Sequence, residues 1–524
     1  MAAAYYLHRK VPAEAGERRM NENLFTALSC RISHPGRAFI RTPSGTTFTY
    51  GDLVADSGRI ANALVAIGVE PGDRVAVQVG KSAESLLLYL ACLRAGAAYL
   101  PLNPGYTGPE LSFFLSDAEP RVFVCDPDAV DEADPIRQAA GIPHLETLDP
   151  DGNGSILDKA HDADPEFADV ARSDDDLAAI LYTSGTTGRS KGAMLSHGNL
   201  ASNARALMDY WRFDDTDVLL HALPIFHTHG LFVATNVTLM AGGSMILLPR
   251  FDLDEIIRWL PRSTSMMGVP TFYSRLLTRP DFTKELVGHI RLFTSGSAPL
   301  SAEVHKDFSE RTGHAILERY GMTETSMNTS NPYDGDRRAG TVGFPLPGVE
   351  VRITDRETGE PVDRGEVGII EIRGPNVFTG YWGMPDKTKE EFRDDGFFIS
   401  GDLGLIDDQG YVTLVGRDKD LVISGGYNVY PAEVENALDA LDGIAESAVI
   451  GVPHADFGEA VTAVVATRGD HSLTEEQIRD DLGRVLARYK IPSRVLFMDA
   501  LPRNAMGKIE KRVLRERFQN LWTT

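Results

Sequence analysis

The chain has 524 residues, 43% hydrophobic and 24% charged, with a formal net charge of −23; such a length exceeds one compact core and sets an expectation of about two or three domains. The acidic balance excludes non-specific binding to nucleic acid or to an anionic membrane, so any anionic ligand must meet local positive charge. Cys30, Cys92 and Cys125 lie far apart without metal-ligand spacing and fit a reduced compartment, and no apolar run reaches spanning length, since SLLLYLACLRAGAAYL is broken by Arg94 and Gly96.

Residues 1–20 read as a disordered extension ahead of a more regular start, NENLFTAL. A mitochondrial presequence is the alternative, favoured by Arg and Ala but opposed by Glu14, Glu17 and the lack of a Ser-rich amphipathic run. Cytoplasmic placement is therefore expected, with the mitochondrial matrix as the alternative. From Asp52 to Ile67 the apolar residues Leu53, Ile60, Leu64 and Ile67 fall at helical spacing, Gly68 stops the helix, and EPGD turns into the strand RVAVQV. A helix over 82–95, the strand AAYLPL, a helix over 109–116 and the strand RVFVC follow, an alternation that predicts parallel strands with crossover helices. The Asp-rich stretch 149–176 reads as a surface excursion before the buried strand LAAILYTSG. Between 340 and 415, VEVRITD, GIIEIRG and YVTLVG alternate in a manner that predicts a small, β-barrel-like antiparallel region. A boundary falls in VGRDKDLVISGG, beyond which a helix from Pro431, the strands ESAVIGV and AVTAVVA and a helix over 474–486 form an α+β module of about 105 residues. The expected fold is thus a large α/β domain of layered sheets at 21–417 and a small mobile domain at 418–524.

The stretch with the clearest chemistry is YTSGTTGRSKGAMLSH, Tyr182 to His197. A strand runs into a loop of Gly, Ser and Thr with one lysine, which offers backbone N–H groups, hydroxyls and a cation to polyphosphate oxygens. Its Gly185, Gly188 and Lys191 do not give the spacing of a Walker A loop.

That loop, followed in order by LPIFHTHG, SGSAPL, ERYGMTET, SGDLG, GRDKD and GGYNVYPAEVE, resembles the AMP-forming acyl-CoA synthetases over nearly all of the chain after residue 20. The resemblance implies an enzyme that turns a carboxylate, a poor acyl donor, into an acyl-adenylate with ATP and then passes the acyl group to the thiol of CoA. It implies that Thr183, Ser184, Gly185, Thr186, Thr187, Gly188 and Lys191 hold the β- and γ-phosphates, and that Glu324 binds Mg²⁺ with Thr183 nearby. Ser297, Ala298, Glu318, Arg319, Tyr320, Gly321 and Thr323 would surround the adenine and its phosphates, and Asp402 with Arg417 the ribose. Lys508 would act on the carboxylate and α-phosphate, as a single catalytic cation among otherwise solvated basic residues, and its modification by a lysine acetyltransferase would remove that charge. Lys419 occupies the hinge about which the small domain turns, bringing Gly425 and Gly426 to the pantetheine channel.

Arg291, on the segment that feeds SGSAPL, suggests a guanidinium for a second carboxylate and hence a small dicarboxylic acid. Within the family the chain is most similar to members that act on malonate, with methylmalonate as a further substrate; His227, Thr228, Ser295 and Met327 would complete that pocket. Another short or medium acid is the alternative. A carrier-loading adenylation enzyme is a further one, disfavoured because the chain ends about 16 residues after Lys508. A non-catalytic scaffold is opposed by the presence of Lys191, Glu324, Asp402, Arg417 and Lys508 together.

Overall fold

The computed structural model describes residues 21–183, 190–468, 473–504 and 508–522. The predicted alternation produces a seven-stranded sheet, in the spatial order Gly380–Tyr381, Lys191–Ser196, Leu177–Thr183, Ala98–Pro101, Arg74–Gln78, Val122–Cys125 and His144–Thr147. Its central strands are parallel, and Val75, Ala76, Val77, Val122, Phe123 and Val124 are buried on both faces, which is why they read as continuous apolar runs. The helix anticipated from Asp52 spans Tyr50–Ala66. It starts earlier because Thr49 caps it: the Thr49 hydroxyl accepts the Asp52 N–H (3.1 Å) while the Asp52 carboxylate accepts the Thr49 N–H (2.8 Å). Ser82 and Ser85 start the helix Ala83–Arg94 by the same reciprocal contact.

A second sheet has nine strands, in the order Phe344–Pro345, Ser326–Ser330, Leu317–Met322, Leu292–Ser295, Ser265–Gly268, Val218–His221, Ser244–Leu247, Ala38–Arg41 and Thr47–Thr49. The antiparallel region forms a four-stranded sheet of Glu350–Thr354, Gly368–Arg373, Phe398–Ile406 and Val412–Arg417. The last strand of that sheet ends at Arg417, a 3₁₀ turn covers Asp418–Asp420, and Val422–Ser424 already belongs to a five-stranded sheet of the C-terminal module. Charge brackets this passage, with Arg356 paired to Asp418 (2.6 Å) and Arg515 to Asp420 (2.5 Å).

The stretch read as a surface excursion is more tightly held than its composition implies. It contains the helix Ser155–His161, and the buried Arg94 donates to the Asp169 carboxylate (2.6 Å) and to the Phe167 carbonyl (3.0 Å). The residue that interrupts the apolar run therefore anchors this segment, alongside the buried Ile156 and the Leu157 and Phe167 side chains packed on the core. Cys92 and Cys125 are buried, Cys30 is exposed, and all three are free. Among the described residues no helix is long and apolar enough to cross a membrane.

Candidate active site

Parallel strands place their carboxyl ends along one edge of a sheet, and loops leaving that edge can converge on a ligand. Leu292–Ser295 leaves it through SGSAPL, in which Ser297 takes a left-handed conformation (φ 70°) and its hydroxyl faces His229 Nδ1 at 3.3 Å, while Ala298 is exposed. The neighbouring strand, Leu317–Met322, alternates its side chains between two faces. Tyr320 points to Asp402 and donates to it (2.5 Å), and Arg417, the register partner of Asp402 across the antiparallel pair, donates to the other carboxylate oxygen (2.7 Å). Strand pairing thus sets Arg417 beside Asp402, and the Tyr320 hydroxyl joins them from the nine-stranded sheet.

Gly321 sits at a bulge where a Cβ would lie 2.0 Å from the Ser326 carbonyl, so only glycine lets the chain turn through Thr323 to Glu324. The buried Glu324 carboxylate accepts from the Tyr381 hydroxyl (3.1 Å) and from the Thr183 hydroxyl (3.4 Å), and burial raises its pKa. Beside it Lys191 is buried and paired to Glu391 (2.8 Å), with its ammonium 3.9 Å from the centre of the Tyr381 ring; the Tyr381 hydroxyl also donates to Glu391 (2.6 Å). Glu391 and Tyr381 were not foreseen. Ser184, Gly185, Thr186, Thr187 and Gly188 lie outside the described residues.

The carboxyl of Glu318 is turned toward the backbone of Gly340, from which it accepts (3.2 Å), and of Leu300. Burial pushes its pKa up to about 8, so it is mostly protonated at neutral pH and serves as a brace between loops.

Arg319, on the opposite face of the strand from Tyr320, is 3% exposed, and its Nε and Nη2 have no hydrogen-bond partner among the described residues. Burial brings its pKa down to about 9. Its charge acts on His227 and His229, and a Cβ on Gly296 would come within 2.4 Å of its Nη1, so the glycine makes room for the guanidinium. Thr228 Oγ1, His229 Nε2 and Ser295 Oγ are likewise buried without a partner. His227 is held neutral at a pKa of about 3, by burial first and then by Lys508 and Arg319. Arg319, with the charge of Lys508 reaching the same histidines, and several neutral donors therefore lie close together, a combination that suits a carboxylate. Met327 is buried, with its Cε near the Gly321 backbone.

Arg291 does not reach this space. It precedes the strand Leu292–Ser295, at the end opposite Ser295, about 13 Å away at the rise of an extended chain. Its guanidinium makes a two-pronged pair with Asp217 (2.6 Å to each oxygen), donates to the Trp211 carbonyl (2.9 Å) and lies over Phe213 and Tyr333. The anion it needs is supplied by the protein, which overturns its assignment to the acid substrate.

From the small domain, Lys508 follows a loop bracketed by the Asn504–Lys508 backbone contact (2.9 Å). Much of its surface stays open to solvent, yet its ammonium lies in a field of charge. Desolvation and Arg417 lower its pKa most, Asp402 and Glu324 raise it, and Arg319 lowers it further. Lys419 is exposed in the 3₁₀ turn, and Gly425 and Gly426 form the exposed tip of a hairpin at φ 58° and 84°.

An α/β body that gathers these groups at its strand ends, with a small second domain that delivers a lysine to them, defines the class as a nucleotide-dependent ligase of acids. Residues 32–382 match the AMP-binding enzyme family and residues 433–508 the AMP-binding enzyme C-terminal domain. The chain is 37% identical to a feruloyl-CoA synthase of an Amycolatopsis species, covering 90% of this chain and 94% of that protein. It is 34% identical to the malonate–CoA ligase of Arabidopsis thaliana, covering 91% and 85%. Among solved structures it is 60% identical to MatB from Rhodopseudomonas palustris, covering 96% of this chain and 100% of that one; the TM-score is 0.94 for the ATP-bound form and 0.83 for the apo form. The chain belongs to the AMP-binding enzyme family and is an AMP-forming acid–CoA ligase, with ATP and CoA as substrates.

Two outcomes follow from this geometry. Arg291→Ala leaves Asp217 buried without its partner and should cost about 3–5 kcal/mol in chemical denaturation, with the KM for the acid substrate unchanged. Glu318 holds a proton in the folded state that the unfolded chain releases from about pH 4.3 upward. Its contribution is therefore present at low pH and lost as the pH rises toward 8. Glu318→Gln should gain on the wild type by about 2 kcal/mol or more in urea stability between pH 5 and pH 8.

Proposed function

We propose that the enzyme ligates malonate to CoA through malonyl-adenylate, converting malonate, ATP and CoA into malonyl-CoA, AMP and diphosphate, and that it also accepts methylmalonate. The observation that carries this reading is the buried guanidinium of Arg319, whose Nε and Nη2 have no hydrogen-bond partner among the described residues, beside His227, Thr228, His229 and Ser295. A monocarboxylate presents one anionic group, which must meet the α-phosphate; a cation in the acid pocket calls for a second. The similarity to malonate–CoA ligases and to MatB supports the same substrate. A single added methyl alters binding by only about 1–3 kcal/mol, which favours methylmalonate as a second acid.

In the first step a carboxylate approaches an already anionic phosphate, so the protein has mainly to neutralise charge and align the reactants. Lys508 is the cation for this task. It sits within reach of the fields of Asp402, Arg417, Arg319 and Glu324, and carries its charge on a long flexible stem. Thr183 to Gly188 and Lys191 take the outer phosphates, and Asp402 with Arg417 takes the ribose. Glu324 and the Thr183 hydroxyl form an oxygen-only donor set around a buried carboxylate, which fits a hard divalent cation. Magnesium held there would supply positive charge to the phosphate oxygens.

For the second step, the domain 418–524 turns about Lys419 relative to 21–417, withdrawing Lys508 and bringing the Gly425–Gly426 hairpin toward the thiol. Acetylation of Lys508 would cancel its charge and arrest the first step.

Arg319→Met should lower kcat/KM for malonate by about 2–5 kcal/mol in activation terms, roughly 30-fold to several-thousand-fold, and that for butyrate by far less, both read as acid-dependent diphosphate release. Equal losses on the two acids would defeat the dicarboxylate reading. Lys508→Ala should slow diphosphate release by roughly 100-fold or more yet spare thioester formation from presynthesised malonyl-adenylate. Loss of both half-reactions to the same degree would remove its assignment to adenylation.

A further inference from the structure

We propose that Lys81 is a positioning residue that, through His221, closes the neck of the loop carrying His227, Thr228 and His229 and so sets the shape of the acid pocket; this rests on the pocket reading given above. Lys81 stands between the strand Arg74–Gln78 and the helix Ala83–Arg94, in the layer built on the seven-stranded sheet. Its ammonium crosses to the nine-stranded sheet and donates to the His221 carbonyl (2.8 Å), the Leu223 carbonyl (2.8 Å) and His221 Nδ1 (3.1 Å). No carboxylate is among these partners, and desolvation holds its pKa well below the usual lysine range.

With Lys81 protonated, the ammonium has only hydrogens to give, so His221 Nδ1 accepts and the ring proton sits on Nε2. Nε2 faces the Gly230 carbonyl at 3.0 Å, and the Thr235 hydroxyl donates to the same carbonyl at 3.0 Å. Lys81 thus grips the start of the loop at Leu223 directly and its end at Gly230 through the imidazole. Between these points the backbones touch: a Cβ on Gly230 would lie 2.0 Å from the Pro224 carbonyl. The loop is pinched at its base, and its tip carries the groups that face Arg319. From His229 the chain runs into a π-helical turn, His229–Thr235, a rare geometry found frequently at functional sites.

The test uses the full-length enzyme and the isosteric Lys81→Met. The KM for malonate should rise about tenfold or more, because displaced pocket groups act on the acid alone, while the KM for ATP stays within about twofold. Lys81→Arg, which keeps the charge and the donors, should recover part of the loss. Hydrogen exchange gives a readout that needs no substrate: amides of 223–235 should exchange about tenfold faster in Lys81→Met, with those of Ser244–Leu247 unchanged.

Should Lys81→Met fail to fold, the His221 pair decides. His221→Gln can still donate to Gly230 and should be milder on the malonate KM than His221→Asn, which mimics only the Nδ1 side. Equal rises in both KM values, uniform exchange across the two segments, or equal effects of Gln and Asn would overturn the proposal. If the wild type activates another acid in place of malonate, the substrate reading fails, and the exchange result still decides on the clamp.

Discussion

A guanidinium taken out of water without a counter-ion costs about several kcal/mol, and among the described residues Arg319 is buried with no carboxylate paired to it. Much of the surrounding structure answers to this constraint. Gly296 leaves the space a side chain would occupy, and strand alternation turns Arg319 away from the nucleotide-side pair of Tyr320 and Asp402. His227 and His229 are held neutral by burial and by the same cation, so they line the pocket as donors and acceptors without competing for the anion. Folding energy from the large layered core sustains the cost of burying this charge.

The contrast with Arg291 shows how context, and not residue type, assigns such roles. Both arginines attach to adjacent parallel strands of one sheet. Arg291 stands at the amino end and finds Asp217, a carbonyl and two aromatic faces, so its hydrogen-bonding capacity is largely spent. Arg319 stands near the carboxyl end, where loops diverge. An ion pair satisfied within the protein contributes to the fold, whereas one left open becomes a receptor.

The nucleotide side works by a related rule. In a chain of net charge −23, the cations gathered on this side at the strand ends, Lys191 and Arg417, each have anionic or aromatic neighbours. Lys191 rests on Glu391 and on the Tyr381 ring, and Tyr381 links Glu391 to Glu324. Lys508 belongs to the C-terminal module, beyond the 3₁₀ turn at Asp418–Asp420 that the ion pairs of Arg356 and Arg515 flank.

The sequence alone determined the α/β alternation, the antiparallel region and the main elements of the C-terminal module, because periodicity, Gly and Pro punctuation and helix caps are local properties of the chain. Thr49 and Ser82, which move helix starts by a residue or two, were legible in principle from the same pattern. It also singled out Asp402, Arg417, Tyr320 and Glu324 from compact motifs, and the fold brings the first three into contact. The partner of a long charged side chain is a different kind of fact. Whether Arg291 or Arg319 is already neutralised depends on residues 74 positions away in one case and on a missing Cβ in a neighbouring loop in the other. Glu391, Tyr381 and the Lys81–His221 contact join segments 10 to 200 positions apart. Only tertiary packing decides such pairings, because burial sets the cost of a charge and the fold alone sets which atoms are near enough to meet it.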